Sequence, residues 1–181
     1  MKTRFSLLLL LIMGSLLSKS QEVGYNTLDI GGDFQWYPAG YMGGVHLAYN
    51  AKMHHSLTGR IAYNRANRKD FGKHENEKGG GAGFSLGYRY YFHYKPAGFF
   101  LGARSDLWSM NIDWTDGNEN GSTKTWVLQP ALEIGYTFLI YDKFFITPAV
   151  SNGYEINIVT KGNPVGEGFI TQAGISAGFR F

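Results

Sequence analysis

An all-β chain of eight antiparallel strands, closed up-and-down into a transmembrane barrel, is what this sequence predicts, and three observations carry that prediction. Long stretches alternate apolar and polar residues with period two, and no long window shows the 3.6-residue period of an amphipathic helix. Charged residues are 17% of the 181 and aromatic ones 16%, a balance poor in charge beside the ~25% of ordinary soluble domains. No apolar run after residue 17 approaches the ~20 residues a spanning helix needs, so any crossing of a membrane falls to strands.

The chain begins with a leader. Lys2 and Arg4 precede an apolar stretch from Phe5 to Leu17, and Ser18-Lys19-Ser20 places small residues before a cut at Gln21. This predicts a secretory signal peptide over residues 1–20 and a barrel domain over residues 21–181. The 13 apolar residues are too few to anchor the chain. Removing residues 1–20 takes Lys2, Arg4 and Lys19 and no acid, so Lys+Arg falls from 17 to 14 against 14 Asp+Glu, a mature formal charge of zero. The sequence pI near 9.0 therefore belongs to the precursor and gives no case for nucleic acid. The absence of Cys excludes a disulfide scaffold, a thiolate metal site, a Cys nucleophile and a lipidated Cys at the cut.

Each strand is read from its alternation. The first, about Asn26 to Tyr37, sets Leu28, Ile30, Phe34 and Trp36 against Asp29, Gly31, Asp33 and Gln35. The second, Tyr41 to Asn50, sets Tyr41, Val45, Leu47 and Tyr49 against Met42, Gly44, His46 and Ala48, and the third, about His55 to Asn64, sets Leu57, Ile61 and Tyr63 against Ser56, Arg60 and Asn64. The fourth, Gly81 to Phe92, opposes Phe84, Leu86, Tyr88, Tyr90 and Phe92 to Gly83, Ser85, Gly87, Arg89 and Tyr91. The fifth starts with Phe99, Leu101 and Ala103 opposite Gly102 and Arg104, then slips between Ser105 and Ser109, which predicts a bulge. The sixth alternates Trp126 through Phe138 against Val127 through Thr137 and is the clearest of all. The seventh, about Phe144 to Asn157, and the eighth, Phe169 to Phe181, repeat the pattern.

Transmembrane barrels have short turns on the periplasmic side and longer loops outside. With a periplasmic N-terminus the even-numbered connections should be short, and the sequence leaves Ala51 to His54, His93 to Ala97 and Tyr141 to Lys143 for them. Long loops are expected at Arg65 to Gly80, Thr115 to Thr123 and Ile158 to Gly168, with a tight first turn at Pro38-Ala39-Gly40. Aromatics gather at strand ends as two girdles, Trp36, Tyr41, Tyr63, Trp114, Trp126, Tyr154 and Phe169 toward one rim and Tyr49, Tyr90, Phe92, Phe99, Phe138 and Phe144 toward the other. The alternation that ends on Phe179 and Phe181 resembles the signal read by the barrel assembly machinery, which would act as partner during biogenesis.

If the apolar face meets lipid, the polar face points into the lumen. The inward charges are then Asp29, Asp33 and Glu133 with Arg60, Arg89, Arg104 and Arg180. Isolated buried charges are costly, so these are expected to pair across the lumen. An eight-stranded barrel is wide enough for side chains to fill and little more. The sequence favours a polar core over a narrow pore or ligand pocket.

Other constellations carry less chemistry. Pro148-Ala149-Val150-Ser151-Asn152 resembles the His-x-Ser-Asn motif of outer-membrane lipid A deacylases, but Ala149 stands where the basic His is needed, so Ser151 and Glu155 do not carry over as nucleophile and orienting acid. His46 is solitary, and His54 and His55 are adjacent in a turn, which suits no chelate. No metal site and no cofactor is expected. Gly79 to Gly83 lacks the Gly-Lys-Ser/Thr of a phosphate loop. The polar run Arg65 to Gly81 offers Arg65, Arg68, Lys69 and Lys73 as an extracellular loop for lipopolysaccharide phosphates, though a mixed-sign loop is more often simply solvated.

The mature chain resembles the small barrels of the OmpA/OmpX type. More narrowly, Gly87-Tyr88-Arg89-Tyr90-Tyr91-Phe92 followed by Pro96-Ala97-Gly98-Phe99-Phe100-Leu101-Gly102 resembles a family of Bacteroidetes outer-membrane barrels of unknown function. That resemblance covers residues 80–181 and implies no activity and no site residues. The expectation is a monomeric outer-membrane barrel, N-terminus periplasmic, bathed in outer-membrane lipid and lipopolysaccharide, with a structural or interaction role and no catalysis. A narrow channel or binder of ions or small amphiphiles is the alternative, and a lipid A-modifying enzyme the second.

Overall fold

The computed structural model describes residues 26–51, 53–69 and 72–181; the expected signal peptide lies outside them. Eight strands, β1 (Thr27–Tyr37), β2 (Gly40–Ala51), β3 (His55–Lys69), β4 (Asn76–Tyr91), β5 (Gly98–Asp116), β6 (Glu119–Ile140), β7 (Phe144–Lys161) and β8 (Gly168–Arg180), follow one another around a closed barrel. Every neighbour is antiparallel, and β8 returns to β1 from Asp29↔Arg180 to Trp36↔Ala173. Among the described residues no helix is long and apolar enough to cross a membrane, whereas the strands close on themselves and satisfy their backbone groups without an edge at that seam.

The wall sorts side chains by parity. On β6, Trp126, Leu132, Ile134 and Phe138 are exposed while Gln129, Glu133 and Thr137 are buried. Ile61 and Leu132 are each 71% exposed, and with Leu28, Val45, Leu86, Leu101 and Val150 they form an apolar band around the outside. A surface of that kind is stable against hydrocarbon and aggregates in water.

Two expectations about the connections are corrected. The runs Arg65 to Gly80 and Thr115 to Thr123 are mostly strand: β3 continues to Lys69, β4 starts at Asn76, and β5 and β6 are joined by Gly117-Asn118 alone. Gly117, at φ +54°, supplies the left-handed conformation that a two-residue hairpin turn requires. The asymmetry between the two ends therefore lies in strand length. β5 and β6 have 19 and 22 residues, β1 and β2 only 11 and 12, so one side of the barrel stands tall above a low β1–β2 turn.

The bulge expected in β5 is also corrected. β5 runs in unbroken register with both neighbours from Gly98 to Asp116. The register shift lies in β7, where Trp126 pairs with Val159 and Val127 with Asn157, leaving Ile158 extra. What changes in β5 is the chemistry of its two faces. Beyond Leu107 the outward residues are Ser109, Asn111 and Asp113, and the inward ones Trp108, Met110, Ile112 and Trp114. The tall end is thus built for water outside, around an apolar core of Tyr37, Met42, Trp108, Met110, Ile112 and Val165 with smaller neighbours. Trp114, expected in the outer girdle, belongs to this core at 8% exposure.

Candidate functional site

The interior holds two ionic assemblies separated by the apolar core. The lower one fills the lumen at the level of the apolar band. Inward parity places Asp29, Asp33, His46, Arg60, Arg89, Arg104, Asp106, Glu133 and Arg180 on facing strands, all turned from lipid. Arg180 on β8 grips Asp29 on β1 with Nε to Oδ1 at 2.6 Å and Nη2 to Oδ2 at 2.7 Å, and donates Nη2 to the Pro96 carbonyl at 2.8 Å. Arg60 donates to Asp33 at 2.9 Å, to Asp106 at 3.1 Å and to Ser85 at 3.1 Å. Glu133 accepts from Arg89 Nε at 2.8 Å and Arg104 Nη1 at 3.3 Å. Arg104 also reaches Gln35, Ser151 and Gln172.

All seven lumen residues named from the sequence thus fall into three groups: Asp29 with Arg180, Asp33 with Arg60, and Glu133 with Arg89 and Arg104. Asp106, which ties Arg60 to Arg104 at 3.4 Å, was missed because it lies within the stretch read as a bulge. Continuing the parity of Phe100 and Arg104 would have found it.

The wall is shaped to admit these long side chains. Gly102 stands opposite Arg89 and Gly87 opposite Arg104. A Cβ on Gly87 would come within 2.9 Å of the Arg104 Cβ, and one on Gly102 within 3.2 Å of Arg89 Cγ. What remains open among Asp33, Gln35, Arg60, Arg89, Arg104 and Glu133 is about 20 Å³, room for about one water molecule.

The upper assembly closes the tall end. Arg68, expected in a loop facing lipopolysaccharide, lies within β3 at 5% exposure. It points inward, pairs with Glu155 at 2.7 Å and Glu77 at 3.4 Å, and donates to the Gly166 carbonyl at 2.7 Å. It is unavailable to a phosphate outside. Arg65 and Lys69 are also strand residues, both exposed, while Lys73 alone of the four lies in the connection, 3.4 Å from Glu167. Glu77, fully buried, accepts the Gly166 N–H with both oxygens at 3.0 Å and the Lys73 N–H at 2.9 Å. That clamp sets Val165 into the apolar core. Beside it His74 stacks on Trp114 with ring centroids 4.2 Å apart and meets Asp116 at 2.6 Å. The carboxyl of Asp116 is held below its ordinary value by the Glu75 N–H and by His74. Glu167 is lowered in the same way by the Asn157 N–H and Lys73.

Ser151 Oγ contacts Arg104 and Gln172, each at 3.1 Å, and Glu155 is occupied by Arg68. His46 packs against Phe145, and His54 and His55 bond to the Tyr91 carbonyl and the Tyr88 hydroxyl. Among the described residues no three His, Asp or Glu side chains are grouped to hold a metal ion. Phe179 and Phe181 point outward at the low-numbered end of β1, and Phe181 exchanges backbone hydrogen bonds with Leu28 at 2.8 and 2.9 Å.

The fold and this interior define a closed, side-chain-filled barrel of eight strands whose outer band is apolar. No protein-family model and no curated protein matches the chain. Solved structures share the fold. The N-terminal β-barrel domain of Pseudomonas aeruginosa OprF aligns over 87% of this chain and 99% of that domain at a TM-score of 0.53 and 15% identity. Ail, the attachment invasion locus protein of Yersinia pestis, solved with the heparin analogue sucrose octasulfate, aligns over 87% and 99% at 0.50 and 14%.

Proposed function

We propose that this chain is an integral outer-membrane barrel with a structural or interaction role, inserted as a monomer with its N-terminus in the periplasm and its tall end outside the cell. The observation that carries the reading is the lumen, where the space open among Asp33, Gln35, Arg60, Arg89, Arg104 and Glu133 is about 20 Å³. A filled lumen supports a wall or a platform over a conduit. Planar-bilayer recording of the refolded protein tests it: no unitary steps are expected, and reproducible steps would make the chain a channel.

Orientation has its own test. The chain has no Cys, so Glu119→Cys in the exposed β5–β6 hairpin introduces a unique thiol. A membrane-impermeant maleimide should label it on intact cells; labelling only after lysis would place the tall end in the periplasm. Insertion is expected to proceed through the barrel assembly machinery, with Phe179 and Phe181 as the signal and residues 1–20 removed beforehand. No cofactor and no catalytic step is part of this reading, and lipid A of unchanged mass after overexpression is the expected result.

A further inference from the structure

We propose that the outer wall just beyond the apolar band binds the phosphate of lipid A in a groove between β3, β4 and β5, with Arg65 and Lys78 as its cationic ligands. This deepens the outer-membrane reading above and rests on the orientation given there.

The groove is placed by register. One continuous row of paired residues around the wall runs Phe34, Gly43, Tyr63, Ala82, Ser109, Trp126 and Val159. Its aromatic members, Phe34, Tyr63 and Trp126, are exposed. The next row up pairs Tyr41 with Arg65, Arg65 with Gly80, Gly80 with Asn111, Asn111 with Lys124 and Lys124 with Lys161. Above it Asn67 pairs with Lys78 and Lys78 with Asp113. Trp36 and Tyr41 keep this row aromatic on β1 and β2, whereas on β3 and β6 the outer face passes from a ring to a cation within two residues, Tyr63 to Arg65 and Trp126 to Lys124. Tyr and Trp favour the headgroup level of a membrane, so Arg65, two residues beyond Tyr63 on the same strand, stands within reach of lipid phosphates.

A groove of about 650 Å³ opens at this step, lined among others by Tyr63, Arg65, Asn67, Lys78, Asn111 and Asp113. Gly80 forms its floor: a Cβ there would meet the Tyr63 hydroxyl at 2.7 Å and the Asn64 carbonyl at 2.9 Å. The ring of Tyr63 thus lies across β4 and brings its hydroxyl into the groove beside the two cations. Arg65 and Lys78 are exposed, and neither has an ion pair among the described residues. The contrast with the interior is instructive, since Arg60, Arg68, Arg89, Arg104 and Arg180 all have carboxylates. Asp113 marks the far edge of the groove and leaves it one net positive charge. A phosphate monoester fits that set, with guanidinium, ammonium, phenol and two amides as donors and none of them requiring deprotonation. Its acyl chains would lie down the adjoining apolar wall.

The test is lipid retention by the full-length refolded barrel in detergent, read by native mass spectrometry with added bis-phosphorylated lipid A. Arg65→Gln with Lys78→Gln should lower retention roughly tenfold, the scale of losing charge-assisted hydrogen bonds. Asp113→Asn should raise it, and Lys143→Gln, at the opposite end, should leave it unchanged. Lipid A stripped of phosphate should be retained no better by the wild type than by the double variant. Equal retention of bis-phosphorylated lipid A by both, or equal retention of the phosphorylated and stripped lipids by the wild type, would overturn the proposal. If the double variant lost phosphatidylglycerol and kept lipid A, the groove would face the inner leaflet and the proposal would also fall. The Glu119→Cys labelling reports separately whether orientation is the cause.

Discussion

Arg180 and Asp29 stand 151 positions apart in sequence and join in a two-pronged ion pair across the seam where β8 meets β1. The last strand is thus fastened to the first by a buried charge pair as well as by backbone bonds. Neither partner is accessible, so removing one takes from a buried charge its opposite across the seam, and such losses cost about 3–5 kcal/mol. Asp29→Ala should lower the urea midpoint of the barrel in micelles accordingly, with earlier loss of the compact, heat-modifiable band. The double variant Asp29→Ala, Arg180→Met should recover part of the loss. A single variant that unfolds like the wild type would show the seam to be held by the backbone alone.

Arg89 and Glu133 permit a second double-variant cycle, with Arg104 as a third member. Arg89→Met leaves Glu133 with Arg104 at 3.3 Å as its remaining ion-pair partner among the described residues. The expected cost is therefore below that of Asp29→Ala, about 2–3 kcal/mol. Adding Glu133→Gln should restore part of it. Chemical unfolding of the four proteins reads the coupling energy, and a value of zero would remove the pair from the account.

Gly87→Val tests the room made for Arg104. The added side chain would start 2.7 Å from the Thr58 Oγ1 and 2.9 Å from the Arg104 Cβ, and a side chain displaced inside a filled lumen costs about 1–3 kcal/mol. Unfolding free energy measures this directly. No change would mean that the wall at Gly87 has room to spare for a side chain.

The contact of Asp116 with the Glu75 N–H should loosen in acid. Asp116 has its folded pKa lowered chiefly by the Glu75 N–H and then by His74. A lowered carboxyl contributes stability that is complete above the ordinary Asp value, ~3.9, and is lost as pH falls through the lowered one. Hydrogen exchange at the Glu75 amide should therefore be slow at pH 5 and speed up as pH falls below ~3.9, beyond the intrinsic pH trend. Asp116→Asn should abolish that excess. Exchange that follows the intrinsic trend alone would contradict the contact.

The strands were legible because period-two alternation persists wherever one face is apolar and the other polar. The inward set from Asp29 to Arg180 followed from the single assumption that lipid lies outside. That assumption fails above Leu107. There the outside meets water, so Ser109, Asn111 and Asp113 turn outward and Trp108, Met110 and Ile112 inward. A change of solvent and an inserted residue both switch which parity is apolar, and the pattern of residues 105–109 reads the same for either. The polar runs taken for loops are explained likewise, since a strand in water on its outer face looks hydrophilic and Gly79-Gly80-Gly81 looks like a linker. Glu77, Arg68 and Glu155 come together across β3, β4 and β7, a proximity that only the closed ring supplies.

Which face of the wall meets hydrocarbon decides where every charge described above can stand, and a nitroxide scan along β6 in lipid vesicles measures that most directly. Single Cys replacements from Trp126 to Phe138, spin-labelled, should give high collision rates with oxygen and low rates with a polar nickel reagent at Leu128, Leu132, Ile134 and Phe138. Val127, Gln129, Glu133 and Thr137 should be immobile and reached by neither. A reversed alternation, or the polar reagent reaching the Leu132 face, would contradict a lipid-facing wall around an ionic interior.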